Sequence, residues 1–169
     1  TMAVTSGVKN SGDAPEGIKV KEGSHRIDVK PWPFAGEDGE EPEFSHDPHV
    51  WTSPKQAKIQ VENIVEELAT KAPSVKEAGA SYEKQLEDLD AWAAQSLSDI
   101  PREDRVLFTS HDAFGYFANA YDVTFIGSAL SDFNNQQDAT ASHIDEAART
   151  VRESGAKAIF AENSNNSKS

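Results

Sequence analysis

The chain has 169 residues, with 16 lysines and arginines against 29 aspartates and glutamates, a formal net charge of −13. That balance argues against a nucleic-acid binder and against docking on an anionic membrane surface, since both need clustered lysine and arginine. Cysteine is absent, which excludes disulfides, thiolate catalysis and cysteine zinc sites. Hydrophobic residues make up 37%, enough for the core of one domain or of a domain with an appendage. No run approaches the ~20 apolar residues of a membrane span. Residues 1–6 lack the basic start and apolar segment of an export signal, so an exported form is expected to be processed or partial.

Residues 1–47 are dense in glycine, proline and charge, with an acidic run at 36–43. They are expected to be poorly structured and solvated, apart from one short strand at 17–20. From Pro54 the pattern turns helical. Ala57, Val61, Ile64, Val65 and Leu68 form one apolar stripe, Ser53 is placed to be the N-cap, Pro54 takes the first helical position, and Ala72-Pro73 ends the helix. A longer helix is expected over 75–97. Its stripe of Ala78, Tyr82, Leu86, Leu89 and Ala93 is narrow, with Glu83, Lys84, Glu87 and Asp88 towards solvent. Such a helix suits a link between two masses.

A strand–helix–strand–helix–strand alternation follows: a strand at 105–109, a helix at 113–120, a strand at 123–127, a polar loop at 128–139, a helix at 140–153 and a strand at 156–161. Ala141, Ile144, Ala147, Ala148 and Val151 are expected to face inward from the last helix, which Gly155 stops. The alternation predicts an α/β fold with a mainly parallel sheet and right-handed crossovers. Residues 162–169 are polar and expected to fray. No internal repeat, phosphate loop or dinucleotide fingerprint is present.

Two histidines sit where a site can form. His49 lies in Ser45-His46-Asp47-Pro48-His49-Val50-Trp51, where proline stiffens the entry to a helix. His111 lies in Thr109-Ser110-His111-Asp112, at the carboxyl end of a strand, where ligands gather in open α/β sheets. Imidazole is a common zinc ligand, and imidazole with carboxylate suits manganese or iron. The bland alternative for each is a hydrogen-bonded structural histidine. His25 and His46 read as solvated loop residues and His143 as a surface residue. Ser110, His111 and Asp112 do not form a hydrolase relay. They are consecutive in one turn, and Ser110 lacks the G-x-S-x-G elbow.

Asp47-Pro48-His49-Val50-Trp51 resembles the D-P-H-x-W motif of the zinc/manganese solute-binding proteins of bacterial ABC transporters. Residues 110–117, Ser-His-Asp-Ala-Phe-Gly-Tyr-Phe, resemble that family's second histidine motif. Residues 82–90 are similar to its long interlobe helix, and residues 158–162, Ala-Ile-Phe-Ala-Glu, to its later strand ending in F-x-E. The match runs from about Gly17 to the end of the chain.

The resemblance implies two α/β lobes joined by a rigid helix, with a divalent metal bound between them by four side chains and passed to a membrane permease without catalysis. His49 matches the second ligand and His111 the third. The first and fourth are expected upstream of Thr1 and beyond Ser169, with His46 or acidic loop residues as the nearest substitutes. Glu162 matches a common family position that is not taken as a ligand. Asp47 and Asp112 are candidates to orient a ring or cap the next helix. A half-complete shell is expected to bind metal more weakly than a whole one.

The expected layout is the end of an amino-terminal lobe with the acidic loop (1–50), a helix (51–74), the linking helix (75–100) and an incomplete carboxyl-terminal Rossmann-like lobe (101–169). With the amino-terminal lobe largely missing, an apolar patch around Leu86, Leu89 and Trp92 is expected to invite self-association. The resemblance points to zinc or manganese, with iron third, and to a site of action outside the cytoplasmic membrane. Any membrane attachment would come through a lipid anchor outside this chain. The rivals are a surface adhesion module, a metallohydrolase using Glu162 as base, and a structural fragment without metal.

Overall fold

The computed structural model describes residues 2–5, 19–33, 41, 45–109, 111–126 and 141–160. The chain falls into two compact units, Thr1–Gln95 and Ser96–Ser169.

In the first unit, β1 (Met2–Thr5) pairs in parallel with β2 (Lys19–Glu22), from Met2 opposite Lys19 to Thr5 opposite Glu22. The first 47 residues are therefore not simply unstructured loop, and the expected strand at 17–20 lies two residues later. Parallel neighbours are joined by a long connection rather than a turn, so nothing local announces β1. Of the acidic run at 36–43, Glu41 is described and is exposed; the rest lies outside the described residues.

The chain from Gly23 is fastened to α1 (Pro54–Ala69) by a buried side chain. Asn63 accepts from the His25 N–H at 2.9 Å and donates to the His25 carbonyl at 2.8 Å. One amide thus satisfies both backbone groups of a residue outside any ladder. Gly23 makes room for it, since a Cβ there would stand 2.3 Å from Asn63 Cγ.

The expected apolar stripe of α1 is only partly covered: Ala57, Val61 and Val65 are half-buried. Asn63 is buried, whereas Ile64 and Leu68 are 46% and 47% exposed. Ser53 holds the N-cap with extended backbone and Pro54 opens the helix, but the Ser53 hydroxyl makes no capping bond. The helix ends at Ala69, and the N–H groups of Lys71 and Ala72 both turn back to the Leu68 carbonyl before Pro73.

After that turn, α2 (Val75–Ser98) returns antiparallel to α1. Lys55 pairs with Asp90 at 3.6 Å, Lys58 with Glu87 at 3.5 Å, and Gly79 lies against Val65. The buried face of α2 is Gly79, Leu86 and Ala93, with Glu83 and Asp90 half-buried beside them. The expected stripe is wrong at Ala78, Tyr82 and Leu89, all exposed. The glycine lets the helices approach on that side, and the larger apolar residues are left outside. In the expected apolar patch, Leu89 and Trp92 are exposed, at 45% and 66%, while Leu86 is buried.

The second unit is built on β3 (Val106–Leu107). The Arg105 and Leu107 carbonyls accept from Thr124 and Ile126, which makes β4 (Thr124–Phe125) a parallel neighbour. The Phe108 carbonyl, pointing the other way, accepts from Phe160 at 3.0 Å, and Thr109 bridges Phe160 in parallel. The segment running on from β3 is therefore flanked on both edges, as buried parallel strands are. The third strand is a single bridge among the described residues.

The connections are α3 (Gly115–Tyr121) and α4 (Ala141–Ser154), the latter stopped by Gly155 at φ +73°. Phe108, Ala113, Tyr116, Ala118 and Tyr121 form the core, and Phe117 stacks edge-on against Phe114 and Tyr121. An apolar cavity of about 470 Å³, lined chiefly by Leu97, Ile100, Val106, Leu107, Phe117 and Phe160, opens beside β3; no histidine lines it. Ala148 and Val151 are half-buried, while the side chains of Ala141, His143, Ile144 and Ala147 lie outside the described residues, as does the loop at 128–139. No described helix is long and apolar enough to cross a membrane.

Candidate metal centre

The turn that carries His49 is set by backbone bonds before its side chains meet. The Lys30 carbonyl accepts from the Asp47 N–H at 3.0 Å, and Pro31 bridges His46 in an antiparallel pair. Pro48 fixes its own φ. Beyond it, a 3₁₀ turn at Val50–Thr52 leads into α1, and the His49 carbonyl accepts from the Thr52 hydroxyl at 2.9 Å.

Asp47 and His49 are both buried, at 2% and 7% exposure. One oxygen of Asp47, Oδ1, accepts from the His49 backbone N–H at 2.9 Å and stands 2.8 Å from His49 Nδ1. A buried carboxylate needs such donors to offset its lost hydration. An ionised carboxylate can only accept, so Nδ1 is the donor in this contact, and Nε2 is the ring nitrogen left to offer a lone pair to a metal. This is how metal-binding histidines are prepared: the remote nitrogen hydrogen-bonds a carboxylate, which fixes the tautomer and raises the basicity of the other. Asp47 thus orients a ring, as its motif position suggested. The Trp32 and Trp51 rings lie 6.0 and 5.4 Å from the His49 ring, centroid to centroid. The sequence pattern gave no signal for Trp32, which lies seventeen residues away within a proline-flanked loop.

His111 belongs to the second unit and follows β3. Its carbonyl accepts from the Thr109 hydroxyl at 2.7 Å and from the Ala113 N–H at 2.8 Å, which closes a tight turn at the carboxyl end of the strand. The ring is half-buried. The helix α3 starts two residues later than expected, with Phe114 rather than a polar residue at the N-cap, and Asp112 is half-buried ahead of it. The Asp122 backbone ends α3 in the left-handed region, and Arg102 donates to the Asp122 carboxylate at 2.8 Å.

The other candidates are placed as follows. His46 is exposed beside the Ser45 hydroxyl. His25 is half-exposed and lies 3.8 Å from both Glu62 and Glu66, so it has acidic company on α1. Ser110 and Glu162 lie outside the described residues. Among the described residues, no group of three or more histidine, aspartate and glutamate side chains is placed to hold a metal ion.

Comparison with known proteins gives a consistent result. The profile of the periplasmic zinc-uptake complex component A, ZnuA, matches residues 2–169. The zinc-binding protein TroA of Treponema pallidum is 36% identical over 129 residues, covering 74% of this chain and 41% of the relative. The manganese-binding lipoprotein MntA of Bacillus subtilis is 32% identical over 127 residues, with 73% and 41% covered. A solved structure of the periplasmic zinc-binding protein TroA from Treponema pallidum superposes with a TM-score of 0.63 at 32% identity, over 78% of this chain and 48% of that one. The chain thus spans about two fifths of the length of the curated relatives it matches. The matched family is a component of metal uptake and not a family of enzymes. The alternating strands and helices, the two histidine motifs and the match along 2–169 agree, and the chain belongs to the ZnuA family of periplasmic zinc-uptake components.

Proposed function

We propose that this chain binds a divalent transition metal, zinc or manganese ahead of iron, outside the cytoplasmic membrane, and that it does so for delivery to the permease of an ABC transporter. His49 and His111 are two of the ligands, and the chain performs no catalysis of its own. Membrane association comes through a lipid anchor, as the names of the lipoprotein relatives suggest. The observation that carries the reading is the buried Asp47–His49 pair at 2.8 Å, in which Nδ1 is the donor and Nε2 is left to offer a lone pair to a metal. A buried structural histidine would also pair its ring N–H, but a ligand gains both orientation and basicity from a carboxylate partner, and here that pair sits inside the D-P-H-x-W motif.

The test is metal content after equilibrium dialysis against zinc and against manganese, for the chain and for a His49→Ala, His111→Ala double variant. The expected result is about one metal per chain, lost in the double variant. Equal uptake by both proteins, or none by either, would overturn the assignment of these two ligands. Binding to a host surface component that persists in the double variant would favour the adhesion reading instead.

A further inference from the structure

Trp32 is bracketed as Pro31-Trp32-Pro33. Pro31 locks its own φ, and a residue before proline is kept out of the helical region, so this stretch is stiff and extended from its local chemistry alone. It is tied to the His49 turn twice, through the Pro31–His46 bridge and through the Lys30 carbonyl on the Asp47 N–H. Those ties fix where the indole sits: 6.0 Å from the His49 ring and inclined at 42°. Trp51 meets the same ring edge-on, at 5.4 Å and 67°. Both separations lie in the range where aromatic rings attract, and neither pair is a face-to-face stack. The hydrogen bond to Asp47 already opposes a turn of the imidazole about its Cβ–Cγ bond. Two indoles packed against it raise the cost of that turn.

We propose that Trp32 is a positioning residue for His49. Together with Trp51 it holds the imidazole in the orientation that points Nδ1 at Asp47 and presents Nε2 to a divalent cation. The inference rests on the reading of His49 as a ligand. Trp32 acts only through the ring, and it does so by removing orientational freedom before the metal arrives.

The experiment uses the full chain as wild type, Trp32→Phe, Trp32→Ala, His49→Ala and the Trp32→Ala, His49→Ala double variant, with folding checked by circular dichroism. Zinc affinity is measured by competition with a chromophoric chelator. The His49 ring is followed in the metal-free protein by its side-chain nitrogen and proton resonances. Trp32→Ala is expected to weaken zinc binding by about tenfold, the lower end for loss of a group supporting a ligand. Trp32→Phe should restore most of the affinity, and Trp32→Ala should add nothing where His49 is already gone. In the metal-free protein, Trp32→Ala should replace a single Nδ1-protonated signal by a tautomer mixture.

Unchanged affinity in Trp32→Ala would overturn the proposal, as would a tenfold loss that persists in the His49→Ala background. If the wild-type chain takes up no zinc, the ligand reading fails first. The metal-free spectrum then decides the role of Trp32: an unaltered His49 signal in both tryptophan variants overturns it, and an altered one upholds it.

Discussion

At the scale of single residues, two buried polar side chains hold the first unit in register. Asp47 serves the His49 backbone and ring with one oxygen, and Asn63 serves both backbone groups of His25. Removing Asp47 would leave buried donors unpaired, which costs more than the bond was worth, and removing Asn63 would leave two part-buried backbone groups to find other partners. Asp47→Ala is expected to lower zinc affinity by about 10–100-fold, because the His49 tautomer is no longer fixed; competition against a chelator measures it. Asn63→Ala should destabilise the chain by roughly 1–2 kcal/mol in urea titration, with two part-buried backbone groups losing their partner. The two residues differ in how far the sequence announces them. Asp47 is visible because it sits two positions from its partner in a recognisable motif. Asn63 is not, since a polar residue on a helix reads as solvent-facing and its partner is 38 residues away.

At the scale of elements, α1 and α2 were read correctly as helices and only partly as to face: Leu86 and Ala93 are buried and Val65 is packed, while Ile64, Leu68, Tyr82 and Leu89 are exposed. Periodicity counts apolar side chains, but this pair packs closely at a glycine. A Cβ on Gly79 would stand 2.4 Å from Val65 Cγ2. Gly79→Ala therefore sets a helix-propensity gain of about 1 kcal/mol against a clash with a stiff β-branched side chain. The clash is expected to win, with a net loss of about 1–2 kcal/mol in thermal or urea unfolding, relieved when Val65→Ala is added.

Lys58 joins the same helices at their rim. Its hydrogen bond to Glu62 first, and then its contact with Glu87, hold its pKa above the ordinary 10.5. A group whose folded pKa is raised stabilises below its unfolded value and loses that contribution as pH climbs through the folded one. The small stability difference between the chain and Lys58→Met should thus be present at pH 7, shrink as pH is taken above 10.5, and fade in high salt. In the second unit, the strand read at 105–109 is marked by the apolar run Val106-Leu107-Phe108 between Arg105 and Thr109, and Gly155 stops α4 with a positive φ.

At the scale of the whole molecule, metal binding and stability are linked. A ligand that binds only the folded chain at about a hundred times its Kd adds about 2.7 kcal/mol, which raises the melting temperature by roughly 5–10 °C for a protein of this size. Zinc is expected to produce that rise in the chain and not in the His49→Ala, His111→Ala double variant, with a chelator reversing it. If both histidines hold the same ion, either single variant should lose most of the rise.

The sequence by itself determined the helices, the α/β alternation after Ile100 and the two histidine motifs, because helical period, apolar runs and proline or glycine stops are properties of neighbouring residues. Only the tertiary structure decided that Met2–Thr5 pairs with Lys19–Glu22, that α1 buries Asn63 while exposing Ile64, and that Trp32 leans on His49. Each of these depends on groups distant along the chain satisfying one another in space, and buried hydrogen bonds and close backbone approach override the apolar pattern wherever the two conflict.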